Sequence, residues 1–215
     1  GSYASHNETV RFGTGLLGGH GGIQGRLSNL GSDGYKDRAS AKLNSYFVQA
    51  GYFADNTIVK FVTFNGTERT YHAWDLASKY AQSLYGRTYN PSGKMEKDAN
   101  GNAQFYRDQT DNYHQQHYQL FWNQYLNKDW TLNVALHYTN GKGYYEQYKK
   151  DKKLLDYGLD ANKTKAKSSL VRQKWLSNDF FGTIASLHFN NKKNVEATIG
   201  GGWNKYDGDH YGFVT

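Results

Sequence analysis

Histidine and acidic side chains are the groups of this sequence best suited to bind metals or move protons, and their spacing argues against both roles. The sequence holds eight histidines, of which His114 and His117 are the closest pair. On a strand, side chains three residues apart point to opposite faces, so these two histidines cannot share one metal ion. No cysteine is present to form a thiolate site or a disulfide. The sequence therefore predicts no metal site and no cofactor.

Catalytic motifs are likewise missing from the sequence. It contains no nucleophile elbow, no HExxH motif and no pair of carboxylates that neighbouring strands would bring together. Residues 207–209 (DGD) and 33–34 (DG) resemble fragments of calcium loops, but the other ligands of such a loop are absent, so we expect turns there. We expect no catalytic residue and no enzymatic activity.

Composition favours strands over both disorder and helices. Aromatic residues make up 16% of the 215 residues, with nineteen tyrosines and five tryptophans, whereas only 37% are hydrophobic and proline occurs once. Disordered chains are poor in aromatics, which strands accommodate well. No run of eighteen apolar residues exists for a transmembrane helix, but a transmembrane β-barrel needs only every second residue to be apolar.

Residues 130–139 show the clearest strand pattern. Apolar and polar side chains alternate with a period of two, and an aromatic residue stands at each end of the apolar set. The apolar set is Trp130, Leu132, Val134, Leu136 and Tyr138, and the polar set is Thr131, Asn133, Ala135, His137 and Thr139. Similar alternation predicts eight strands in all, at residues 10–17, 23–30, 41–53, 57–70, 112–126, 130–139, 181–189 and 195–203.

The connections between these strands alternate in length. Short turns alternate with long polar segments, which are predicted at residues 31–38, 71–111 and 140–179. Outer-membrane barrels have this asymmetry, with short periplasmic turns and long extracellular loops. The sequence therefore predicts an all-β fold, an antiparallel transmembrane meander that occupies residues 1–215 as a single domain.

The basic charge admits three kinds of partner. A formal net charge of +7 is compatible with binding to nucleic acid, to anionic lipid headgroups or to an acidic ligand. Much of the excess lies in a lysine run within the predicted loop 140–179, where charge runs are usually solvated. The aromatics Trp130, Tyr138 and Trp203 stand beside apolar strand faces, as in the aromatic girdles at membrane interfaces. We therefore expect contact with outer-membrane lipid and none with nucleic acid.

Several ordered segments resemble receptors of the TonB-dependent family, particularly those of Bacteroidetes. The segments are residues 25–39 (GRLSNLGSDGYKDRA), 70–74 (TYHAW), 87–91 (RTYNP), 109–113 (QTDNY), 136–146 (LHYTNGKGYYE) and 200–208 (GGGWNKYDG). They are spread in order over nearly the whole chain. The resemblance implies that the eight strands are part of a larger 22-stranded barrel. A plug domain, a TonB box and the C-terminal barrel strand of the family are not recognisable in this sequence.

The resemblance also implies a function and partners. It implies active uptake of a scarce nutrient across the bacterial outer membrane, such as a siderophore or other metal chelate, haem, cobalamin or a glycan. The implied partners are the small-molecule ligand, the TonB complex acting through the plug region, and a surface lipoprotein. The alternative is a self-contained eight-stranded outer-membrane barrel with a structural or adhesive role.

Aromatic residues in or beside the long loops are the candidates for ligand contact, because binding residues tend to lie on loops held by a rigid scaffold. These candidates are Tyr71, His72, Trp74, Tyr144 and Tyr145. The competing interpretation is that the same aromatics pack loop against loop or anchor at the headgroups.

Overall fold

A computed structural model describes residues 1–159 and 166–215, and these residues form one antiparallel sheet of eight strands in chain order. The strands are β1 His6–Gly13, β2 Gly21–Ser32, β3 Ala41–Ala54, β4 Thr57–Tyr71, β5 Thr110–Tyr125, β6 Trp130–Lys153, β7 Lys167–Asn190 and β8 Glu196–Val214. A short helix, α1 (Lys79–Tyr85), and the 3-10 turns Ser2–Ala4 and Leu154–Tyr157 accompany them. The prediction of an all-β antiparallel meander is confirmed.

The strand connections are short at one rim of the sheet and long at the other. Residues 14–20, 55–56, 126–129 and 191–195 form the short-turn rim. Residues 33–40, 72–109, 154–159 and 166 lie at the long-loop rim. Asparagine side chains close two of the short turns. The Asn127 side-chain oxygen accepts from the backbone N–H groups of Asp129 and Trp130, and Asn191 accepts from Lys193 and Val195. The second rim has the longer connections, although residues 33–40 are only one residue longer than residues 14–20.

The predicted long loop at residues 140–179 is wrong for most of its length. β6 and β7 each have 24 residues and stay paired far beyond the apolar segment, up to Lys153 and from Lys167. The lysine run is therefore part of β6. The regular alternation of apolar and polar residues in β6 ends near residue 139, but backbone pairing continues, which explains the error. Residues 160–165 of that predicted loop lie outside the described residues.

A smaller correction concerns the DGD segment at residues 207–209. We expected a turn there, but Asp207 and Asp209 lie within β8, opposite Asp179 and Ser177 of β7. Glycine and aspartate in the middle of a long strand carry no apolar signal, so the sequence pattern resembled a turn. Gly34, in the other DG pair, adopts a positive φ of 74° in the connection between β2 and β3, as a bend there requires.

The strand register divides the side chains into two faces. Directly paired residues share a face, so Leu132 of β6 lies with Leu187 of β7 and Ile199 of β8 on one side, which we call the apolar face. The opposite side is concave, because side chains from β1 to β5 line a common cavity of about 700 Å³ there. This concave face carries Gln115, His117, Gln119, Asn133 and His137, as the alternation predicts.

Little of the chain is buried, since the sheet has a single layer. The buried apolar side chains among the described residues are Val62, Tyr71 and Leu170. Large apolar side chains such as Ile199 are instead exposed on the apolar face. In residues 1–159 and 166–215 no helix has the length and apolar character that a membrane crossing requires.

The two end strands of the sheet are not joined to each other. β1 pairs with β2 and β8 pairs with β7, and the described residues contain no pairing between β1 and β8. The chain therefore forms an open, curved wall in this structure, with one free edge at each end.

Candidate functional site at the long-loop rim

Tyr71 organises the loop formed by residues 72–109. Its hydroxyl lies 2.9 Å from the carbonyl oxygen of Tyr106 and 3.2 Å from that of Ser92, and it accepts from Arg38 Nε at 3.3 Å. The Arg38 guanidinium stacks on the Phe105 ring at 3.6 Å from its centroid. Tyr71 is buried, so this predicted contact residue packs loop against strand and is not open to a ligand in this structure.

Asn90 and Ser92 form the interior of the same loop, and both are fully buried. Asn90 Nδ2 donates to the carbonyl oxygens of Asp37 and His72 at 3.0 and 2.9 Å, so it ties two connections together. Ser92 Oγ donates to Asp75 Oδ2 at 2.6 Å. Sequence reasoning missed both residues. The Asn-Pro dipeptide at 90–91 was the available signal, because it marks a turn.

His72, Trp74 and Tyr145 form an aromatic cluster at the long-loop rim. The centroids of the His72 and Trp74 rings are 3.9 Å apart, and Tyr145 lies 6.2 and 5.9 Å from them with its edge turned toward both. Trp74 is half exposed. The structure therefore brings three of the five predicted contact residues together.

His72 is held neutral within this cluster. Its side chain is only 4% exposed, and neither ring nitrogen has a hydrogen-bond partner among the described residues. Burial lowers the pKa of His72 to about 4, with Asp75 opposing the shift and the positive charge of Lys149 adding to it. At neutral pH the ring is an uncharged aromatic surface.

Tyr144 and Tyr145 face opposite sides of the sheet, as neighbours on a strand must. Tyr145 lies on the concave face. Tyr144 lies on the other face, where its ring is 4.4 Å from Trp175, and Trp175 in turn stacks on Tyr211 at 5.9 Å. The two side chains therefore leave the sheet on different sides, although both residues are among those that line the groove described next.

A groove of about 840 Å³ opens next to the aromatic cluster, on the concave side of β5 to β8. Its lining includes Tyr113, Tyr145, Tyr157, Arg172, Lys174 and His210. Lys174 Nζ lies 5.7 Å from the Tyr145 ring centroid, and Arg172 Nη2 donates to Gln147 Oε1 at 2.8 Å. Apart from Tyr145, sequence reasoning missed these groove residues, because most of them lie in the segment that was predicted to be a loop.

The predicted interface aromatics lie on the apolar face at two heights. Trp130, near the short-turn rim, has its ring 4.8 Å from that of Phe189. Tyr138 and Trp203 lie farther toward the long-loop rim. The Tyr138 hydroxyl donates to Asp179 Oδ1 at 2.6 Å, and Trp203 is 56% exposed.

The structure supplies no metal-binding cluster within residues 1–159 and 166–215. His114 and His117 face opposite sides, because they pair with Thr67 and Phe64 of β4 on different faces. The Nδ1 atoms of the two histidines lie 2.8 and 2.9 Å from the hydroxyls of Thr67 and Thr139. The expected separation of this pair is confirmed.

No family model and no curated protein sequence matches the chain. Solved structures do match. The ferric-catecholate import receptor Fiu of E. coli K12, in its open form, superposes with a TM-score of 0.66 at 11% identity, over 98% of this chain and 33% of its own. BauA, the ferric preacinetobactin receptor of Acinetobacter baumannii, gives a TM-score of 0.67 at 10% identity, over 99% and 30%.

The RagAB peptide importer in its closed-closed state gives a TM-score of 0.63 at 12% identity, over 98% of this chain and 25% of its own. The chain thus spans a third or less of the length of these proteins. At such low identity the likeness concerns the fold, and no single substrate is common to the three. The eight-stranded meander has the fold of a segment of these receptors and this importer.

Proposed function

We propose that this chain is part of the wall of a TonB-dependent receptor in the bacterial outer membrane, which imports a scarce nutrient. The observation that carries the proposal is the two-faced sheet, with exposed apolar side chains on one side and a polar concave side on the other. A single-layer sheet with an exposed apolar face suits lipid, because every backbone group inside a bilayer needs an internal partner and strands supply one.

Four further features support the proposal. Aromatic side chains border the apolar face at two heights, as interfacial girdles do. The connections are short at one rim and long at the other. The fold is that of a segment of two receptors and an importer, although their cargoes differ. Because β1 and β8 are unpaired with each other in the described residues, the wall needs further strands to close, which favours a large barrel over a self-contained small one.

The ligand-contact surface in this proposal comprises Trp74 and Tyr145, against which the buried His72 packs, together with the groove beside them. Its aromatic rings and cations lie at the long-loop rim, where a ligand arriving from outside the cell would first meet the concave face in this proposal. Tyr144 lies on the outward side and is proposed for contact with lipid headgroups or a surface lipoprotein. Energy coupling through TonB would act on a plug region, to which we assign no residue of this chain. In this proposal the chain serves transport, and we assign no catalytic role to any of its described residues.

Cysteine labelling in intact cells tests localisation and orientation without any knowledge of the ligand. The chain has no cysteine, so the introduced thiol is the only one that these 215 residues contribute, and the unsubstituted protein serves as the background control. In the protein that carries this chain, Ala99→Cys in the long loop should react with a membrane-impermeant maleimide in intact cells. Lys128→Cys, exposed in a short turn, should react only after the outer membrane is permeabilised.

Two results contradict the proposal. One is equal labelling of both variants in intact cells, and the other is recovery of the protein in a membrane-free fraction.

A further inference from the structure

The outward side of β6 to β8 carries a second group of aromatic rings, which we call the outer aromatic cluster. The rings of Trp175 and Tyr211 are parallel within 4°, and Tyr144 lies 4.4 Å from Trp175. Phe213 stands edge-on to Trp175 and Tyr211, and Tyr211 and Phe213 are both exposed. All four residues are among those that line the groove, but their side chains leave the sheet on the side opposite to Tyr145.

The outer aromatic cluster lies well beyond the apolar face. On β6, Tyr144 is six residues farther along the strand than Tyr138, and on β7 Trp175 is six residues from Phe181 in the same direction. Six residues span about 20 Å along a strand, or about 15 Å of height for a strand tilted as in outer-membrane barrels. The headgroup layer of an ordinary bilayer is only about 5–7 Å thick on each side. A lipid with a small headgroup therefore does not reach the cluster from the apolar face.

A belt of carboxamide side chains borders the apolar face on the same outward side. Each strand from β2 to β6 carries one asparagine or glutamine there, and these are Asn29, Asn44, Asn65, Gln116 and Asn140. Asn29 Nδ2 donates to Asn44 Oδ1 at 2.6 Å, and Asn140 Nδ2 donates to Asp179 Oδ1 at 2.9 Å. Because an amide has two donor hydrogens and an acceptor oxygen, these pairs leave donors and acceptors available for hydroxyl groups.

The charges between the apolar face and the outer aromatic cluster do not favour an anionic headgroup. On β6 to β8 this part of the outward side has two lysines, Lys142 and Lys205, and three aspartates, Asp179, Asp207 and Asp209. Lys205 pairs with Asp207 at 3.3 Å. Anionic headgroups bind to clusters of lysine and arginine, which the described residues do not form in this part of the sheet. The surface therefore suits a partner that offers hydroxyl groups and apolar ring faces and carries little charge.

We propose that the outward side of the sheet binds the saccharide chain of a glycolipid in the outer leaflet. The carboxamide belt contacts the sugars nearest the membrane, and the outer aromatic cluster contacts sugars farther out. One face of a pyranose ring consists of C–H groups that pack against an aromatic ring, and its hydroxyls hydrogen-bond to amides. A chain of several sugars anchored in the leaflet spans the height between the two surfaces.

This inference rests on the proposed function, which places the apolar face in lipid. It also assigns Tyr144 to the headgroup of a glycolipid and not to a lipoprotein, because the cluster is continuous with the lipid-facing side through the carboxamide belt.

The intact protein that carries this chain tests the inference after purification in lauryldimethylamine oxide, a detergent without sugar. Three probes are compared: lipopolysaccharide with its core oligosaccharide, the same lipopolysaccharide after removal of its phosphates, and lipid A, which lacks the core. The amount of probe retained per protein after size-exclusion chromatography is measured by mass spectrometry. We expect both core-bearing probes to be retained at least about fivefold more than lipid A. Retention should persist in 1 M salt, where the screening length is about 3 Å.

Substitutions on the two sides of β8 locate the effect. Trp175→Ala combined with Tyr211→Ala should lower retention of the core-bearing probes to the level of lipid A. Tyr206→Ala is the matched control, since Tyr206 is exposed on the concave side of the same strand, and it should leave retention unchanged. Heat-dependent gel mobility confirms that each variant folds. Should the double substitution fold poorly, Phe213→Ala removes one exposed ring of the cluster and should lower retention by about twofold or more.

Any of four results with these probes overturns the inference: lipid A retained as well as the core-bearing probes, loss of retention when the phosphates are removed, equal effects of Tyr206→Ala and the double substitution, or no retention of any probe. A protein that co-purifies with the parent and is lost from the double variant, with retention of the glycolipid unchanged, would assign the cluster to a protein interface and also overturn it.

These results leave the proposed function intact, because cysteine labelling decides localisation and orientation independently of any glycolipid. Equal labelling of Ala99→Cys and Lys128→Cys in intact cells would remove the proposed function instead.

Discussion

His72 is the residue whose ionisation matters most for the long-loop rim. Its pKa in the folded protein is about 4, below the ordinary value of 6.5, so the unfolded chain binds a proton more readily than the folded one. The contribution of His72 to the free energy of unfolding is therefore fully present above about pH 6.5, and it is lost as the pH falls toward 4. The loss amounts to at most about 3 kcal/mol.

The substitution His72→Phe tests this account. Phenylalanine keeps an aromatic ring against Trp74 and removes two buried nitrogens that have no partner in the described residues. At pH 7 we expect the variant to be as stable as the parent or slightly more stable. Between pH 6.5 and 4 the parent should lose stability and the variant should lose less, as measured by the pH dependence of thermal unfolding. Parallel curves for the two proteins would contradict the assignment.

Tyr71→Phe should loosen the loop at residues 72–109. The change leaves Arg38 Nε and two carbonyl oxygens without their hydroxyl partner, at a cost of about 1–3 kcal/mol. Limited proteolysis should then cut this loop faster than in the parent. Tyr80→Phe in the exposed helix α1 is the matched control and should leave the cleavage rate unchanged. An unchanged rate in both variants would show that Tyr71 does not hold the loop.

β6 carries a direct test of which face meets lipid. Val134 lies on the apolar face and Ala135 on the concave face of the same strand. Arginine on a lipid-facing residue near the middle of the bilayer costs about 2–4 kcal/mol, whereas substitutions toward the lumen are tolerated. Val134→Arg should therefore reduce the amount of folded protein in the outer membrane, and Ala135→Arg should not. The amount of folded protein is measured by heat-dependent gel mobility. A larger loss for Ala135→Arg than for Val134→Arg would show that the concave face, and not the apolar face, meets lipid.

The strands within the apolar region could be predicted from sequence, because an apolar face on one side of the sheet imposes a period of two. Residues 130–139 and 195–203 showed it plainly. The outer halves of β6 and β7 could not be predicted, since their pairing depends on backbone hydrogen bonds and on neighbours distant in sequence. The groove could not be predicted from sequence for the same reason. His72, Trp74 and Tyr145 could be proposed from sequence as aromatic residues near loops. Lys174 could not be proposed, because only the strand register shows that it lies beside Tyr145.

At the scale of the whole molecule, the free edges of β1 and β8 govern how the chain behaves alone. Unpaired strand edges promote association with other chains. Refolded in detergent by itself, the 215-residue chain should form mixed oligomers and show no heat-dependent gel shift. The intact protein that contains it should run as a compact, heat-modifiable species. A compact, heat-modifiable monomer from the isolated chain would support the self-contained eight-stranded barrel.

The long pairing of β6 has a practical result for protein assembly. β6 is hydrogen-bonded to β5 on one side and to β7 on the other over much of its length. Covalent continuity through residues 154–166 is therefore not what keeps β6 and β7 adjacent. A receptor cleaved once in this connection should remain a single particle in mild detergent and separate into two fragments only on denaturation. The same property makes this connection a place to divide the gene in two and reassemble the barrel from separately expressed halves.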